Sequence, residues 1–392
     1  MNPIRDFKYI AGKAFLTEIQ ISNGVKILVI NCGSSSIKYK LYNFPASTLI
    51  VKGLIERVGE KKSGIKDHTQ GIKVLIADIL KKKAVESLEE ISAIGHRVVH
   101  GAEVFRQPRL IDNKVIKNIK KCSGLAPLHN PANLAGIISC KKFFSKIPQV
   151  AVFDTAFHQS IPEHAYRYAL QNKYYHKYKI RKYGFHGTSH QFVAQTAAKQ
   201  LAKPLNKLKL ITCHLGNGCS ITAINKGQSV DTSMGFTPLE GLIMGTRCGD
   251  IDPAVILYIM KKENLSISAA SDILNKKSGL LGVSGISNDF RAIKEGAKKG
   301  KSLAKLAYDM FIYRIKKYIG AYYFVLAGVD AICFTGGIGE NNLDVLNSIK
   351  KDISTIIPKK VKVLTIPTDE ELMIANLTYE LITAKYEYKG LK

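Results

Sequence analysis

Lys26-Ile-Leu-Val-Ile-Asn-Cys-Gly-Ser-Ser-Ser-Ile-Lys-Tyr-Lys-Leu-Tyr42 decides how this chain is built. Lys26 to Ile30 is an apolar run rich in β-branched residues, the pattern of a buried strand. The turn from Asn31 to Ser36 is small and polar, and Ile37 to Tyr42 returns with period-two alternation, so the segment predicts a β-hairpin. The same plan recurs far downstream, in Leu208-Lys-Leu-Ile-Thr-Cys-His-Leu-Gly-Asn-Gly-Cys-Ser-Ile-Thr-Ala-Ile224. Leu208 to Cys213 is a strand, His214 to Gly218 the tip, and Ser220 to Ile224 the return. Laid together, Asn31 falls on His214 and Gly33 on Gly216. A strand, a Gly-centred polar tip and a return strand, near the start of each half, predict two related domains.

Outward from these hairpins, helical patterns alternate with short apolar strands. Lys73 to Leu80 and Gln191 to Leu201 have helical spacing, whereas Ala93 to Val99, Gln149 to Phe153 and Ala331 to Phe334 look like strands. Such alternation predicts α/β layers. With 392 residues, 46% of them hydrophobic, each half has material for its own core. No linker-like or low-complexity stretch intervenes, so the halves should pack together with a cleft between them. After Pro367, Thr368 is the expected N-cap of a last helix with acidic residues in its first turn.

The formal net charge is +27. A surplus of that size favours phosphate-bearing partners, membranes or nucleic acid. The lysines are spread along the chain, however, in short runs such as Lys81–Lys83 and Lys359–Lys360, with no basic tail or basic helix. That distribution is a solvated surface, and neither a nucleic-acid nor a membrane partner is expected. The seven cysteines are odd in number, widely spaced and free of any C-x-x-C, which fits a reducing cytoplasm. Met1 to Gln20 has no apolar core of a secretory signal. Ala321 to Phe334, the longest apolar stretch, is interrupted by Asp330 and too short to span a bilayer.

Several motifs carry chemistry. Gly and Ser at the hairpin tips let backbone approach a phosphate and donate to it, with Lys38 following as a point charge. Thr335-Gly-Gly-Ile-Gly-Glu-Asn341 is a second Gly-rich turn, fit either for a wall beside adenosine or for a plain strand-to-helix turn. Arg97 and Arg247 each sit among glycines, where a guanidinium fork can hold a carboxylate or phosphate. Asp154 ends an apolar strand, where α/β folds place ligands, although an N-cap is an equal reading. Gly296 to Ser302 resembles a Walker A loop but is one residue short and follows no strand. Two histidine pairs, His96 with His100 and His186 with His190, have the i, i+4 spacing of zinc ligands but lack the Glu of H-E-x-x-H, so neither is assigned a metal.

Taken together, these segments resemble the acetate kinase family. The matching stretches are Val29–Lys38, Gly95–Gly101, Ala126–Pro131, Phe153–His158, Tyr183–His190, His214–Gly218, Asp231–Gly241, Gly245–Asp252, Asn288–Arg291, Thr335–Asn341 and Pro367–Glu371, in family order from about Lys26 to the end. The resemblance implies two duplicated ribonuclease-H-like domains flanking a nucleotide cleft, the fold of acetate and sugar kinases, actin and heat-shock chaperone ATPases. It implies a first domain of residues 26–156 plus a returning helix in 370–392, and a nucleotide-binding domain of residues 157–369. Residues 1–25 have no family counterpart and would be an extension.

The resemblance also implies roles. Asn31 and Glu370 would hold Mg²⁺ or Mn²⁺, and Lys38 would face the phosphates. His214, Leu215, Gly216, Asn217 and Gly218, with Asp289, Phe290 and Arg291 and with Gly337, Ile338, Gly339, Glu340 and Asn341, would bind ATP or ADP. Arg97 would hold the substrate carboxylate, and Val99, Leu128, Phe185 and Pro238 would line a pocket for its methyl group. Arg247 and His186 would stabilise the transferring phosphoryl, with Asp154 as a further catalytic group. Acetate, acetyl phosphate and ATP are the implied partners, and a homodimer the implied assembly. Propionate or butyrate kinase shares this chemistry. Ala102 departs from the family's usual Gly and is expected to narrow the substrate pocket slightly. The loop from Gly59 to Gly71 is shorter than usual.

Overall fold

The computed structural model describes residues 24–60, 63–127, 129–356, 358 and 360–383. The extension 1–25 and the end of the 370–392 segment fall largely outside them, as does Leu128. Among the described residues no helix is long and apolar enough to cross a membrane.

The first sheet contains β1 (Val25–Cys32), β2 (Ser36–Phe44), β3 (Thr48–Glu56), β4 (Ile91–Val98), β5 (Arg109–Leu110) and β6 (Gln149–Phe153), in the order β3-β2-β1-β4-β6-β5. The second contains β7 (Lys209–Leu215), β8 (Cys219–Asn225), β9 (Gln228–Thr232), β10 (Ala331–Thr335) and β11 (Lys362–Thr365), in the order β11-β10-β7-β8-β9. The duplication lies in the strand senses. β1 pairs antiparallel with β2 and parallel with β4, which pairs parallel with β6. β7 pairs antiparallel with β8 and parallel with β10, which pairs parallel with β11. Asn31 lies opposite Lys38 and His214 opposite Ser220, each one pair short of the hairpin end. The tips are therefore shorter than expected: His214 and Leu215 belong to β7, because ladder pairing continues until Gly216.

Each sheet is covered on both faces, and so β1 is apolar almost without interruption. Leu28 and Ile30 face a core shared with the helices His68–Lys81 and Asn130–Phe143. Val25, Ile27 and Val29 face the C-terminal helix Glu370–Thr383 through Ile374, Ala375 and Ile382. In the second sheet, Ile211 and Cys213 face a core that includes Phe311 and Ile315 of the long helix Ser302–Val325. Leu210 and Ile224 face Val193, Ala194 and Ala197 of the helix Gly187–Gln200. Gly71 lies within the helix His68–Lys81 rather than in the preceding loop.

The C-terminal helix packs against the first sheet and also against the helix Gly187–Gln200 of the second unit. Its cap differs from expectation. Asp369, not Thr368, accepts from Leu372 N at 2.9 Å. The Thr368 hydroxyl is instead 2.9 Å from Ser189 Oγ on the helix Gly187–Gln200. An N-cap side chain accepts from the N–H two or three residues on, and Asp369, directly before the helix, has that spacing.

Candidate active site

The C-terminal ends of β4 and β6 bring Arg97 and Asp154 together. Arg97 Nε lies 3.2 Å from Asp154 Oδ1 and Nη2 lies 2.5 Å from Oδ2, a fork-on-fork pair. Glu370, the first residue of the C-terminal helix, adds an oxygen 3.5 Å from Arg97 Nε. Thr188 donates to Asp154 Oδ1 at 3.0 Å. The Asp154 side chain is 1% exposed. Burial pushes its pKa up, with the Glu370 charge assisting, against the Arg97 guanidinium and Thr188. For Arg97, burial opposes the charge, but Asp154 and Glu370 outweigh it and its pKa rises. Gly187 makes this junction possible: its N–H donates to Asp154 O at 3.0 Å, and a Cβ there would lie 2.1 Å from that oxygen.

A second guanidinium belongs to Arg247. Its Nη1 reaches the Pro238 carbonyl at 3.2 Å, and among the described residues no carboxylate pairs with it. Burial lowers its pKa. A half-buried guanidinium without a counter-charge is costly unless an anion joins it. A Cβ built on Gly218 would stand 3.5 Å from His186 Nε2 and 3.6 Å from Arg247 Nη1, so bare backbone forms the floor between them. The Arg97 and Arg247 charges both depress the pKa of His186, after burial and the neighbouring His214 and His190 rings, and both depress that of His129, after burial. The charges of both guanidiniums thus reach the same two imidazoles. His129 was not singled out in the sequence; its place in the stretch Ala126–Pro131 was the available signal.

Val99 (7% exposed) and Phe185 (2%) belong to one apolar cluster with Met244; Arg247 Nη1 donates to the Pro238 carbonyl at 3.2 Å and lies 3.8 Å from the Met244 sulfur. Leu128 lies outside the described residues. The end of β4 is gripped by the helix Asn130–Phe143, which sequence reasoning missed. Asn130 Oδ1 accepts from His100 N at 3.0 Å, Asn133 Oδ1 accepts from Val99 N at 3.1 Å, and Asn133 Nδ2 donates to Cys32 O at 2.7 Å. Ala102 has φ +49°, the left-handed region. Its departure from Gly is therefore a matter of backbone strain rather than only of pocket width.

A pocket of about 580 Å³ lies on the second unit, lined by Gly216, Asn217, Asp289, Phe290, Arg291, Gly337, Ile338 and Asn341, together with Asn288 and Asn342. That volume suits a nucleoside. His214, Leu215, Gly218, Gly339, Glu340 and Lys38 are not among its lining residues. Phe290 is buried in the core and can offer little more than backbone. Glu340 turns inward, accepting from Gly336 N at 2.8 Å and from Thr368 N at 3.2 Å. Lys38 pairs with Glu371 at 3.1 Å. His214 stacks on His186 with ring centroids 4.3 Å apart, and its Nδ1 is 2.8 Å from Ser189 Oγ.

The donors available to a divalent cation are oxygens: the Asn31 amide at the end of β1 and the Glu370 carboxylate, near Asp154. Two carboxylates against the single Arg97 guanidinium leave a negative balance. This donor chemistry fits Mg²⁺ or Mn²⁺, ions that take one or two carboxylates and complete their shell with water and phosphate oxygens.

Two sheets of one topology, a nucleoside-sized pocket on the second, and a guanidinium with no carboxylate partner among the described residues fit the class of ATP-dependent phosphotransferases with a duplicated ribonuclease-H-like fold. Comparison with known proteins narrows the class. Residues 26–376 match the acetokinase family, and the chain belongs to that family. It is 50% identical to the acetate kinase of Halothermothrix orenii over 91% of this chain and all of that one. The crystal structure of Porphyromonas gingivalis acetate kinase superposes with TM-score 0.85 at 42% identity, covering 91% of this chain and 100% of that one. A propionate kinase from Francisella tularensis superposes with TM-score 0.85 at 43% identity, covering 91% and 99%.

Proposed function

We propose that this chain is an acetate kinase that moves a phosphoryl group reversibly between ATP and acetate, giving acetyl phosphate and ADP. The observation that carries the reading is Arg247, a half-buried cation without a carboxylate partner among the described residues, whose charge, like that of Arg97, is felt at His186.

Acetate is already ionised at neutral pH and needs no general base. The obstacle is its approach to a polyanionic phosphate, so placement of positive charge should dominate. Arg97 would take the substrate carboxylate, and Val99, Phe185, Pro238 and Leu128 would surround its methyl group. Arg247 and His186 would neutralise the transferring phosphoryl. Asp154, held by Arg97 and Thr188, would orient the guanidinium rather than carry a proton. The nucleoside would occupy the pocket between Asn217 and Ile338. Mg²⁺ between Asn31 and Glu370 would supply charge to the β- and γ-phosphate oxygens. Closure of the units 26–156 and 157–369 would exclude water, which otherwise competes as acceptor.

A homodimer is part of this reading. The helix Pro253–Glu263 has no buried residue, and Val255, Leu257 and Tyr258 lie exposed on it. Asp250, just before it, is 2.9 Å from Arg314 of the long helix, which itself exposes Leu306, Tyr313 and Phe324. An apolar surface of this kind suits a second copy. All seven cysteines are free, in keeping with a reducing cytoplasm.

The test is a coupled assay for acetyl phosphate from ATP, Mg²⁺ and acetate. ATP hydrolysis without acetyl phosphate would overturn the proposal. Comparing kcat/KM for acetate, propionate and butyrate fixes the acceptor, since each methylene in an apolar pocket is worth roughly 1–3 kcal/mol. Acetate should lead; a preference for propionate would align the chain with the Francisella enzyme.

A further inference from the structure

The i, i+4 histidines at the start of the helix Gly187–Gln200 meet on one hydroxyl. Ser220 Oγ lies 2.9 Å from His186 Nδ1 and 2.7 Å from His190 Nε2. Beyond His190, its Nδ1 is 2.7 Å from Thr212 Oγ1 on β7. Thr212, His190 and Ser220 have no solvent access.

A hydroxyl has one proton to give, and a neutral imidazole has one N–H. A hydroxyl oxygen can also accept twice, so the sense of the chain Thr212–His190–Ser220–His186 is set by which arrangement strands no buried donor. Among the described residues Thr212 Oγ1 has no hydrogen-bond partner besides His190. Its O–H must then point at His190 Nδ1, because the reverse direction would strand a buried donor, which costs about 1–3 kcal/mol. With Nδ1 accepting, the His190 proton is on Nε2 and goes to Ser220. Among the described residues Ser220 Oγ has no other partner, so its O–H goes to His186 Nδ1 rather than being stranded, and the proton of His186 is left on Nε2. That is the atom beside the Gly218 backbone and Arg247 Nη1. A lone pair there would repel a phosphoryl oxygen, whereas an N–H attracts it.

We infer that Thr212, His190 and Ser220 are positioning residues that hold His186 as the neutral Nε2–H tautomer, ready to donate to the transferring phosphoryl. The inference rests on the phosphoryl role proposed for His186. Burial and the neighbouring imidazoles keep both His186 and His190 well below the ordinary histidine pKa, so the chain stays neutral. The pair of histidines with metal-ligand spacing thus converges on a serine.

The test uses the full chain labelled with ¹⁵N-histidine, its ring nitrogens read by long-range ¹H–¹⁵N correlation. The His186 signals are assigned by their loss in His186→Asn. The wild type should show the Nε2–H pattern for His186; an Nδ1–H pattern overturns the inference. Ser220→Ala should spread His186 over both tautomers and lower kcat roughly 10–100-fold. KM for ATP should stay within about twofold, and Ser220→Thr, which keeps the hydroxyl, should recover kcat. Unchanged kcat in Ser220→Ala, with the Nε2–H pattern retained, also overturns it. If His186→Asn itself leaves kcat intact, the phosphoryl role fails, and the wild-type tautomer still judges the hydrogen-bond chain separately.

Discussion

Arg247 and Ala102 show how much a single residue's surroundings matter. Among the described residues the hydrogen-bond partners of Arg247 are the Pro238 carbonyl and the Met244 sulfur, with no carboxylate. A cation kept in that condition is arranged for an arriving anion, and a phosphoryl-clamping Arg is worth roughly 10³–10⁵ in rate. Arg247→Ala should therefore lower kcat by that range with little change in KM for ATP; steady-state kinetics showing a loss under about tenfold would remove Arg247 from the reaction. Ala102 sits at φ +49°. An L-residue pays about 1–2 kcal/mol for that region, part of which glycine returns through its looser unfolded state. Ala102→Gly should raise stability by up to about 1 kcal/mol, read as a higher urea midpoint at unchanged m. A lower midpoint would show that the backbone there is not strained.

At the scale of elements, the Gly-rich turn after β10 was open to two readings, and its residues divide between a pocket wall and a structural turn. Gly337, Ile338 and Asn341 line the pocket of about 580 Å³. Glu340 of the same turn instead braces its own start, through Gly336 N and Thr335 Oγ1, and holds Thr368 N ahead of the C-terminal helix. One carboxylate thus ties the second unit to the segment that returns to the first. Glu340→Ala strands these donors, each worth about 1–3 kcal/mol when buried. Chemical denaturation should show a loss of at least that order, and KM for ATP should rise because the turn loosens. Unaltered stability would mean that the brace is idle. Neighbouring Gly and Glu in the motif gave no hint of this division, since side-chain direction depends on which strand end lies behind the turn.

The molecule as a whole buries several histidines in neutral form. Burial lowers the pKa of His96, His100 and His158 from the ordinary 6.5 to about 4. Between those values the unfolded chain takes up protons that the folded chain refuses. Their contribution to stability is thus fully present above about pH 6.5 and is lost as pH falls toward about 4, each on the order of 1–3 kcal/mol. The thermal midpoint should fall steeply below about pH 6, and His96→Gln should flatten part of the slope. A midpoint constant from about pH 7 to 4.5 would contradict this account.

The amino-acid pattern alone determined the duplicated hairpins, the α/β layering and the family, because strand periodicity and Gly-centred tips are local properties written into neighbouring residues. It also marked Arg97, Asp154, His186 and Arg247 as chemistry-bearing. Tertiary structure decided which of them meet. The pairing of Arg97 with Asp154 and Glu370, the lack of any carboxylate partner for Arg247 among the described residues, and the convergence of His186 and His190 on Ser220 depend on residues far apart in the chain. Such contacts depend on how two sheets and one returning helix pack, and no short window of sequence carries that information.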